Sequence, residues 1–286
     1  MPMIASVDGT RLYYEESGSG TAVVFIHEFA GDYRTWEPQM RRFARSHRCV
    51  TFSARGYPPS DIPNEQARYG QDIARADVMA IMDALGIEKA HVVGHSMGAY
   101  TALHVGIRHP QRCISVTAAG CGWGSAADPA VRETMRKEAA GTAKMFAEKG
   151  IAEAAAAYAD GPTRQAQKHK DPRGYAQFIR MLGEHSAQGH ALTMAMVQAK
   201  RPTLWDLEAE LKRFSVPLLI IVGDEDETCL DGSLFLKRIV PTAALMVIPR
   251  SGHTITSEEP APFNAALAEL FAAAESGRWL SHRPRA

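Results

Sequence analysis

The sequence predicts an α/β protein with a mostly parallel β-sheet. Short apolar runs alternate along the chain with segments of helical periodicity, which favours strands joined by helical crossovers. Residues 22–27 and 217–222 are almost continuously apolar, as expected for strands covered on both faces. Residues 123–214 show no convincing strand pattern and are rich in Ala, Met, Lys and Glu. This interruption predicts a helical insertion in a single α/β domain.

The amino-terminal half supplies most of the predicted sheet. Asp8-Gly9 separates two short strand patterns and indicates a hairpin. Residues 73–85 carry apolar side chains on one helical face, and Gly86 ends that helix. The predicted strands are residues 4–7, 11–15, 22–27, 49–53, 90–94 and 114–119, and the predicted helices are residues 36–43, 73–85 and 96–108.

The carboxyl-terminal half contains the insertion and the end of the sheet. Residues 130–149 and 151–159 are predicted to be helical, with a break at Gly150 and another at Gly161-Pro162. Strands at 217–222 and 244–248 and a helix at 261–274 complete the pattern. We therefore expect a core domain of residues 1–122 and 213–286, interrupted by a helical insertion at 123–212.

Charge and cysteine content exclude several classes of function. The 32 Lys and Arg residues equal the 32 Asp and Glu residues, so neither a nucleic acid nor an anionic membrane is an expected partner. The four cysteines show no C-x-x-C spacing, which argues against a zinc site or a disulfide framework, and no metal is predicted. No leader pattern and no apolar run of bilayer length is recognised, so a cytoplasmic location is expected.

The strongest chemical signal is Gly94-His95-Ser96-Met97-Gly98, a G-x-S-x-G motif placed between an apolar strand and a helix. The two glycines permit a sharp turn that presents the Ser96 hydroxyl at the end of the strand. The following helix start offers the free N–H of Met97 to a developing oxyanion. A purely structural turn is the alternative to Ser96 as a nucleophile.

A serine nucleophile needs a base, and the base needs an acid that orients it. His253 follows the strand at 244–248 in a loop where catalytic groups of open α/β sheets gather. The preceding strand ends in Gly-Asp-Glu-Asp-Glu at 223–227, which offers several acids. Asp226 is the preferred acid and Asp224 is its main competitor.

Together these residues resemble the α/β-hydrolase superfamily, and within it the group of capped esterases, enol-lactonases, haloperoxidase-like enzymes and carbon–carbon bond hydrolases. The resemblance covers nearly the whole chain. It rests on Asp8 to Tyr14, on His27 with Trp36, on Arg55-Gly56 with Ser60-Asp61, on Gly94 to Gly98, on Pro217 to Asp226, and on Gly252-His253.

The resemblance implies an eight-stranded sheet with a helical cap inserted after strand six, and no cofactor. It places the acid three residues after Gly223, which selects Asp226. It also implies that Ser96, His253 and Asp226 form an acyl-enzyme mechanism, with the backbone N–H groups of Phe29 and Met97 as the oxyanion hole. Because the nucleophile is Ser rather than Asp, epoxide hydrolase and haloalkane dehalogenase activities are disfavoured.

Glu28 departs from the family pattern, because relatives carry glycine directly after the histidine. A second departure is Ser53, where relatives often have Asp two residues before Arg55. One hypothesis is therefore that Glu28 pairs with Arg55, since buried charges are usually paired. The other is that Glu28 faces the pocket, where it could raise the pKa of His253, bind a substrate group or hold a water.

Other pocket residues are less well defined by the sequence. Glu28, His95, Cys121 and Trp123 are candidates for the substrate pocket, although Cys121 and Trp123 are equally compatible with packing. Apolar residues of the insertion, such as Met145, Tyr158 and Met194, could line the pocket but more often form helix-packing cores.

The expected function is hydrolysis of a small ester, lactone or amide-like substrate. The nearest alternative is carbon–carbon bond hydrolysis of a ring-cleavage product, which needs a polar site for a dienoate or carboxylate. Cofactor-free perhydrolase or oxygenase chemistry and a slow-turnover ligand receptor are further alternatives. The expected partner is a small-molecule substrate, and a homodimer is left open.

Overall fold

The structure, a computed structural model, describes residues 1–279 and has one eight-stranded sheet at its centre. The spatial order of the strands is β1-β2-β4-β3-β5-β6-β7-β8. The strands are β1 Met3–Ala5, β2 Arg11–Ser17, β3 Ala22–Ile26, β4 Arg48–Phe52, β5 Ala90–His95, β6 Cys113–Ala119, β7 Leu218–Gly223 and β8 Ala243–Ile248.

The sheet is mostly parallel, as predicted. Strands β3 to β8 pair in parallel, whereas β2 is antiparallel to both β1 and β4. The predicted hairpin is present, but its loop spans residues 6–10 rather than Asp8-Gly9 alone. Gly9 takes a positive φ of 81° in that loop, a conformation that glycine adopts without steric cost.

Eleven α-helices lie within residues 1–279. They are α1 Glu37–Phe43, α2 Gln71–Ala84, α3 Met97–Arg108, α4 Pro129–Ala159, α5 Gln165–Lys170, α6 Pro172–Gly183, α7 Ala187–Thr193, α8 Glu208–Leu211, α9 Glu227–Ile239, α10 Ile255–Glu258 and α11 Pro260–Glu275. Helix α9 has no counterpart in the sequence prediction. Most of its buried residues, such as Cys229 and Ser233, are small, and Leu236 is the one large apolar residue among them. The helix therefore has little apolar surface for the sequence pattern to reveal. None of the helices in the described part of the chain is long and apolar enough to cross a bilayer.

Two apolar clusters cover the two faces of the sheet. On one face, side chains of α2 and α3 pack against alternate residues of the strands, including Val24 and Val92. On the other face, α1 and α11 pack against the intervening residues, including Phe25 and Val93. Every residue of β3, β5 and β7 is buried. The continuous apolar runs in the sequence are therefore strands covered on both faces.

Between β6 and β7 the described chain is helical and contains no strand of the sheet. Helix α4 is broken at Gly150, whose φ of 74° and ψ of 171° are not helical, at the predicted position. Residues of α4 and α6 form a third apolar cluster with Phe29 and Met97, which follow β3 and β5. The division into a core and a cap domain stays a prediction, and residues 280–286 of that predicted core lie outside the described residues.

Candidate active site

Ser96 occupies a strained turn between β5 and α3. Its φ of 53° and ψ of −111° are unusual for a residue with a side chain and cost on the order of 1–3 kcal/mol. The flanking glycines make this turn sterically feasible. A Cβ on Gly94 would lie 2.1 Å from the carbonyl oxygen of Gly98, and a Cβ on Gly98 would lie 2.1 Å from that of Ile26. Both glycines of the motif are therefore required, because the backbone passes too close for any side chain at either position.

The structure brings the three predicted catalytic side chains into one hydrogen-bonded row. Ser96 Oγ lies 2.9 Å from Nε2 of His253, and Nδ1 of His253 lies 2.7 Å from Oδ2 of Asp226. All three residues are buried. The three loops that carry them follow β5, β7 and β8, and parallel strands place these carboxyl ends at one edge of the sheet.

The charges around this row suit a histidine that accepts a proton. Burial by itself would lower the pKa of His253, but the charge and hydrogen bond of Asp226 raise it above 6.5. Burial would raise the pKa of Asp226, yet the charge and hydrogen bond of His253 lower it. Asp226 is therefore ionised at neutral pH and stabilises the imidazolium form of His253.

Asp224, the competing acid, lies elsewhere in the same loop. Its side chain is exposed, and Oδ1 accepts a hydrogen bond from the backbone N–H of Ser251 at 3.1 Å. Asp226 instead contacts the imidazole. The geometry thus favours Asp226, in agreement with the family spacing, and gives Asp224 a role in shaping the loop.

The backbone N–H groups of Phe29 and Met97 are the predicted oxyanion hole. Met97 is the first residue of α3, and the first N–H groups of a helix have no partner within it. Within residues 1–279, neither the N–H of Met97 nor that of Phe29 donates a hydrogen bond to another group. Both follow carboxyl ends of adjacent strands, β5 and β3. Their role as an oxyanion hole stays a prediction.

A cavity of about 300 Å³ opens beside Ser96 and His253. Eleven of its fourteen lining residues lie between Trp123 and Gln198, so the helical insertion forms most of the wall. Met145, Tyr158 and Met194 are among them, and the same three side chains also belong to the third apolar cluster, so they both line the cavity and pack in a core. Gln198 Oε1 is buried at the wall with no hydrogen-bond partner among the described residues, and it can accept a bond from a ligand.

Of the four pocket candidates, only Trp123 lines this cavity. The prediction is wrong for Glu28, His95 and Cys121, which are buried outside the lining. Nε2 of His95 lies 2.7 Å from the carbonyl oxygen of His253, so His95 supports the histidine loop. Burial lowers the pKa of His95 to about 4, which keeps it neutral.

Glu28 pairs with Arg164 rather than with Arg55. Arg164 donates to both carboxylate oxygens of Glu28, with 2.9 Å between Nη1 and Oε1. Arg55 has its own acids: its Nη2 lies 2.6 Å from Asp77, and its Nη1 lies 2.8 Å from Asp8. The predicted Glu28–Arg55 pair is therefore wrong, because two other carboxylates already neutralise Arg55.

Arg164 and Gln198 are the site residues that the sequence analysis missed. Arg164 lies 136 positions from Glu28 in sequence, within an insertion that has no sheet register to place it. A weak signal was available, since an unusual buried acid requires a cation and the insertion contains several. Gln198 lies in a π-helix, Met194–Gln198. The wider turn of a π-helix rotates the side chains relative to the α-helical periodicity, so that periodicity does not predict which way Gln198 faces.

Two clusters in the described residues have ligand atoms close enough for a metal ion. One is Asp226, Cys229 and His253, which is part of the hydrogen-bonded row itself. The other is His47, His91 and Glu275, near the amino-terminal end of β5 and thus at the opposite end of that strand from Ser96.

The chain belongs to the family with the alpha/beta hydrolase fold, whose model matches residues 21–260. The eight-stranded sheet, the turn at Ser96 and the row of three side chains agree with this assignment.

Individual relatives refine the comparison. The chain is 30% identical over 275 residues to 3-oxoadipate enol-lactonase 1 of Acinetobacter baylyi, covering 91% of this chain and 93% of that protein. It is 28% identical over 273 residues to 2-hydroxy-6-oxo-6-phenylhexa-2,4-dienoate hydrolase of Burkholderia cepacia, covering 89% and 88%. The crystal structure of the enol-lactonase from Burkholderia xenovorans superposes with a TM-score of 0.81 at 22% identity, covering 95% and 100%. These similarities support a general hydrolase function.

Proposed function

We propose that this protein is a serine hydrolase that cleaves small, uncharged esters or lactones through an acyl-enzyme on Ser96. The observation that carries the proposal is the row from Ser96 Oγ through His253 to Asp226, with distances of 2.9 and 2.7 Å, at the floor of a cavity. A row of this geometry activates a hydroxyl group for attack on a carbonyl carbon.

In the first half of the reaction, Ser96 Oγ forms a bond to the carbonyl carbon while its proton moves to Nε2 of His253. The carbonyl oxygen becomes an oxyanion that the N–H groups of Phe29 and Met97 stabilise. The intermediate collapses, the bond to the leaving oxygen breaks, and His253 returns its proton to that oxygen. For a lactone, the resulting alcohol remains part of the acyl group.

In the second half, His253 removes a proton from water, and the hydroxide attacks the acyl carbon. A second oxyanion forms at the same two N–H groups and collapses to expel Ser96 Oγ, which regains its proton from His253. The acid product leaves. Asp226 holds the Nδ1 proton of His253 throughout and stabilises the imidazolium in both halves.

The cavity wall favours uncharged substrates. No Lys or Arg lines it in the described part of the chain, and its single carboxylate is Glu138. A substrate with its own carboxylate would meet no cation there and would be repelled by Glu138. Trp123, Met145 and Met194 supply apolar surface instead.

Carbon–carbon bond hydrolysis is the second candidate, because one relative, 28% identical to this chain, is named as the hydrolase of a dienoate. That chemistry uses the same row of side chains but a carboxylate-bearing substrate. The absence of a cation from the described cavity wall makes it the less favoured alternative.

A matched pair of substrates tests the proposal. We expect p-nitrophenyl butyrate to be hydrolysed with a kcat/KM at least about 10-fold above that of the p-nitrophenyl half-ester of succinate, whose acyl chain ends in a carboxylate. A panel of simple lactones and a ring-fission dienoate completes the measurement. Preference for the half-ester would contradict the uncharged class, and turnover of the dienoate alone would establish the carbon–carbon alternative.

The pH dependence follows from the raised pKa of His253. Only neutral His253 accepts the proton of Ser96, so kcat/KM should be at its plateau above that pKa. It should fall about tenfold per pH unit as the pH drops below it, with a midpoint above the ordinary pKa of a histidine. A profile of kcat/KM from pH 5 to pH 9 measures this midpoint. Full activity at pH 5 would refute His253 as the general base.

A further inference from the structure

The pair of Glu28 and Arg164 lies between the predicted oxyanion segment and the cavity wall. Arg164 is fully buried, and the Glu28 side chain is only 5% exposed. Two parallel hydrogen bonds join the guanidinium to the carboxylate, the strongest geometry that this pair of groups adopts. The guanidinium also lies over the ring of Phe178, 4.6 Å from its centroid.

Each partner is attached to a functional segment. Glu28 directly precedes Phe29, and the carbonyl oxygen of Glu28 accepts hydrogen bonds from Nδ1 of His27 at 2.6 Å and from the N–H of Gly31 at 3.1 Å. Arg164 ends the 3₁₀ turn Pro162–Arg164, whose Pro162 and Thr163 line the cavity. The pair therefore joins the helical insertion to the segment that presents the Phe29 N–H.

We propose that Glu28 and Arg164 act as positioning residues, which hold the oxyanion segment against the cavity wall and balance two opposite charges beside His253. The expected effect on kcat rests on the proposed function. The pairing explains the buried acid that directly follows His27: Glu28 neutralises a cation from the insertion, and neither group lines the cavity.

The charges that face His253 come from several elements. Asp226 and Cys229 face its Nδ1, Ser96 faces its Nε2, and His95 bonds its carbonyl oxygen. The carboxylate of Glu258 accepts hydrogen bonds from the backbone N–H groups of Gly252 and Thr254, which flank His253 in sequence. Nζ of Lys170 lies 3.9 Å from that carboxylate. The acidic side chains near His253 are Asp226, Glu28 and Glu258, and the basic ones are Arg164 and Lys170.

Glu28 and Arg164 act on His253 in opposite directions. The negative charge of Glu28 raises the pKa of His253, and the positive charge of Arg164 lowers it. Glu28 stays ionised in the native protein: burial would raise its pKa, but Arg164 brings it down to about 2. Arg164 stays charged when Glu28 is replaced, because a guanidinium does not deprotonate in proteins. Removing Glu28 alone therefore exposes His253 to an unbalanced cation.

The first measurement is the pKa of His253 by NMR titration, with its resonance assigned from a His253→Gln variant. In Glu28→Gln we expect this pKa to fall by at least about half a unit. In the double variant Glu28→Gln/Arg164→Met both charges are gone, and the pKa should return to within about 0.3 units of the native value. An unchanged pKa in folded Glu28→Gln would overturn the charge balance.

The second measurement is the hydrolysis of p-nitrophenyl butyrate by the double variant, which carries no unpaired buried charge. Because the link between insertion and oxyanion segment is lost, kcat should fall at least about 10-fold while the pKa of His253 is kept. Native kcat in the double variant would overturn the positioning role, even if Glu28→Gln alone does not fold.

The matched control is Glu153→Gln, which removes an exposed pair with Lys149 in the same insertion and should change neither quantity. Because the NMR titration does not need turnover, it separates this inference from the proposed function. If the native protein hydrolyses no ester or lactone, the proposed function fails, whereas the charge balance is still decided by the pKa of His253.

Discussion

Ser96→Ala should lose at least about 10⁴-fold in kcat for p-nitrophenyl butyrate, one of the largest effects expected of a single substitution in this chain. The hydroxyl is the only nucleophile that lies within hydrogen-bond distance of His253 Nε2 in residues 1–279. Its removal leaves the cavity and the two N–H groups in place, so substrate still binds but no acyl-enzyme forms. Steady-state kinetics with purified protein measures the loss.

Stability provides the control for this substitution. Ser96 has a positive φ that Ala also tolerates poorly, so the change in backbone strain is small. We expect the midpoint of thermal unfolding to stay within a few degrees of the native value, which separates lost chemistry from lost folding. Turnover above about a hundredth of the native kcat would contradict a nucleophilic Ser96.

Asp226→Asn should lower kcat by about 10⁴-fold. The carboxylate accepts the Nδ1 proton of His253 at 2.7 Å, and an amide at this place can donate to Nδ1 instead. That would favour the His253 tautomer that carries its proton on Nε2. In this tautomer Nε2 cannot accept the proton of Ser96. Loss of the charge also removes the main cause that raises the pKa of His253.

Asp224→Asn is the matched control, because it makes the same chemical change two residues away in the same loop. Asp224 is exposed and contacts the backbone N–H of Ser251, not the imidazole. We expect kcat within about threefold of the native value, since an amide oxygen keeps that hydrogen bond. Equal losses in the two variants would mean that Asp226 is not the orienting acid.

Local rules account for the parts of this molecule that were predictable from the sequence. Strands covered on both faces are continuous apolar runs, so β3, β5 and β7 were recognised without knowledge of their neighbours. The turn at Ser96 needs glycine on both sides because backbone atoms pass within 2.1 Å of their would-be Cβ positions. The row of three side chains then follows from where parallel strands end.

Long-range contacts account for what was missed. Glu28 meets Arg164 across 136 positions, and nothing in the local sequence distinguishes Arg164 from the exposed cations around it. His95 and Cys121 are buried outside the cavity because the insertion, rather than the strand ends, builds most of the wall. Which helical face of an insertion meets the core depends on packing that periodicity alone does not specify.

The most direct measurement is the intact mass of the protein after treatment with a fluorophosphonate, a reagent that modifies activated serine hydroxyls. We expect one phosphonyl adduct per chain, located by peptide mapping on Ser96, and no adduct in Ser96→Ala. We also expect the rate of modification to fall as the pH drops through the raised pKa of His253. An unmodified native protein, or an equal adduct in Ser96→Ala, would contradict a serine hydrolase built on Ser96.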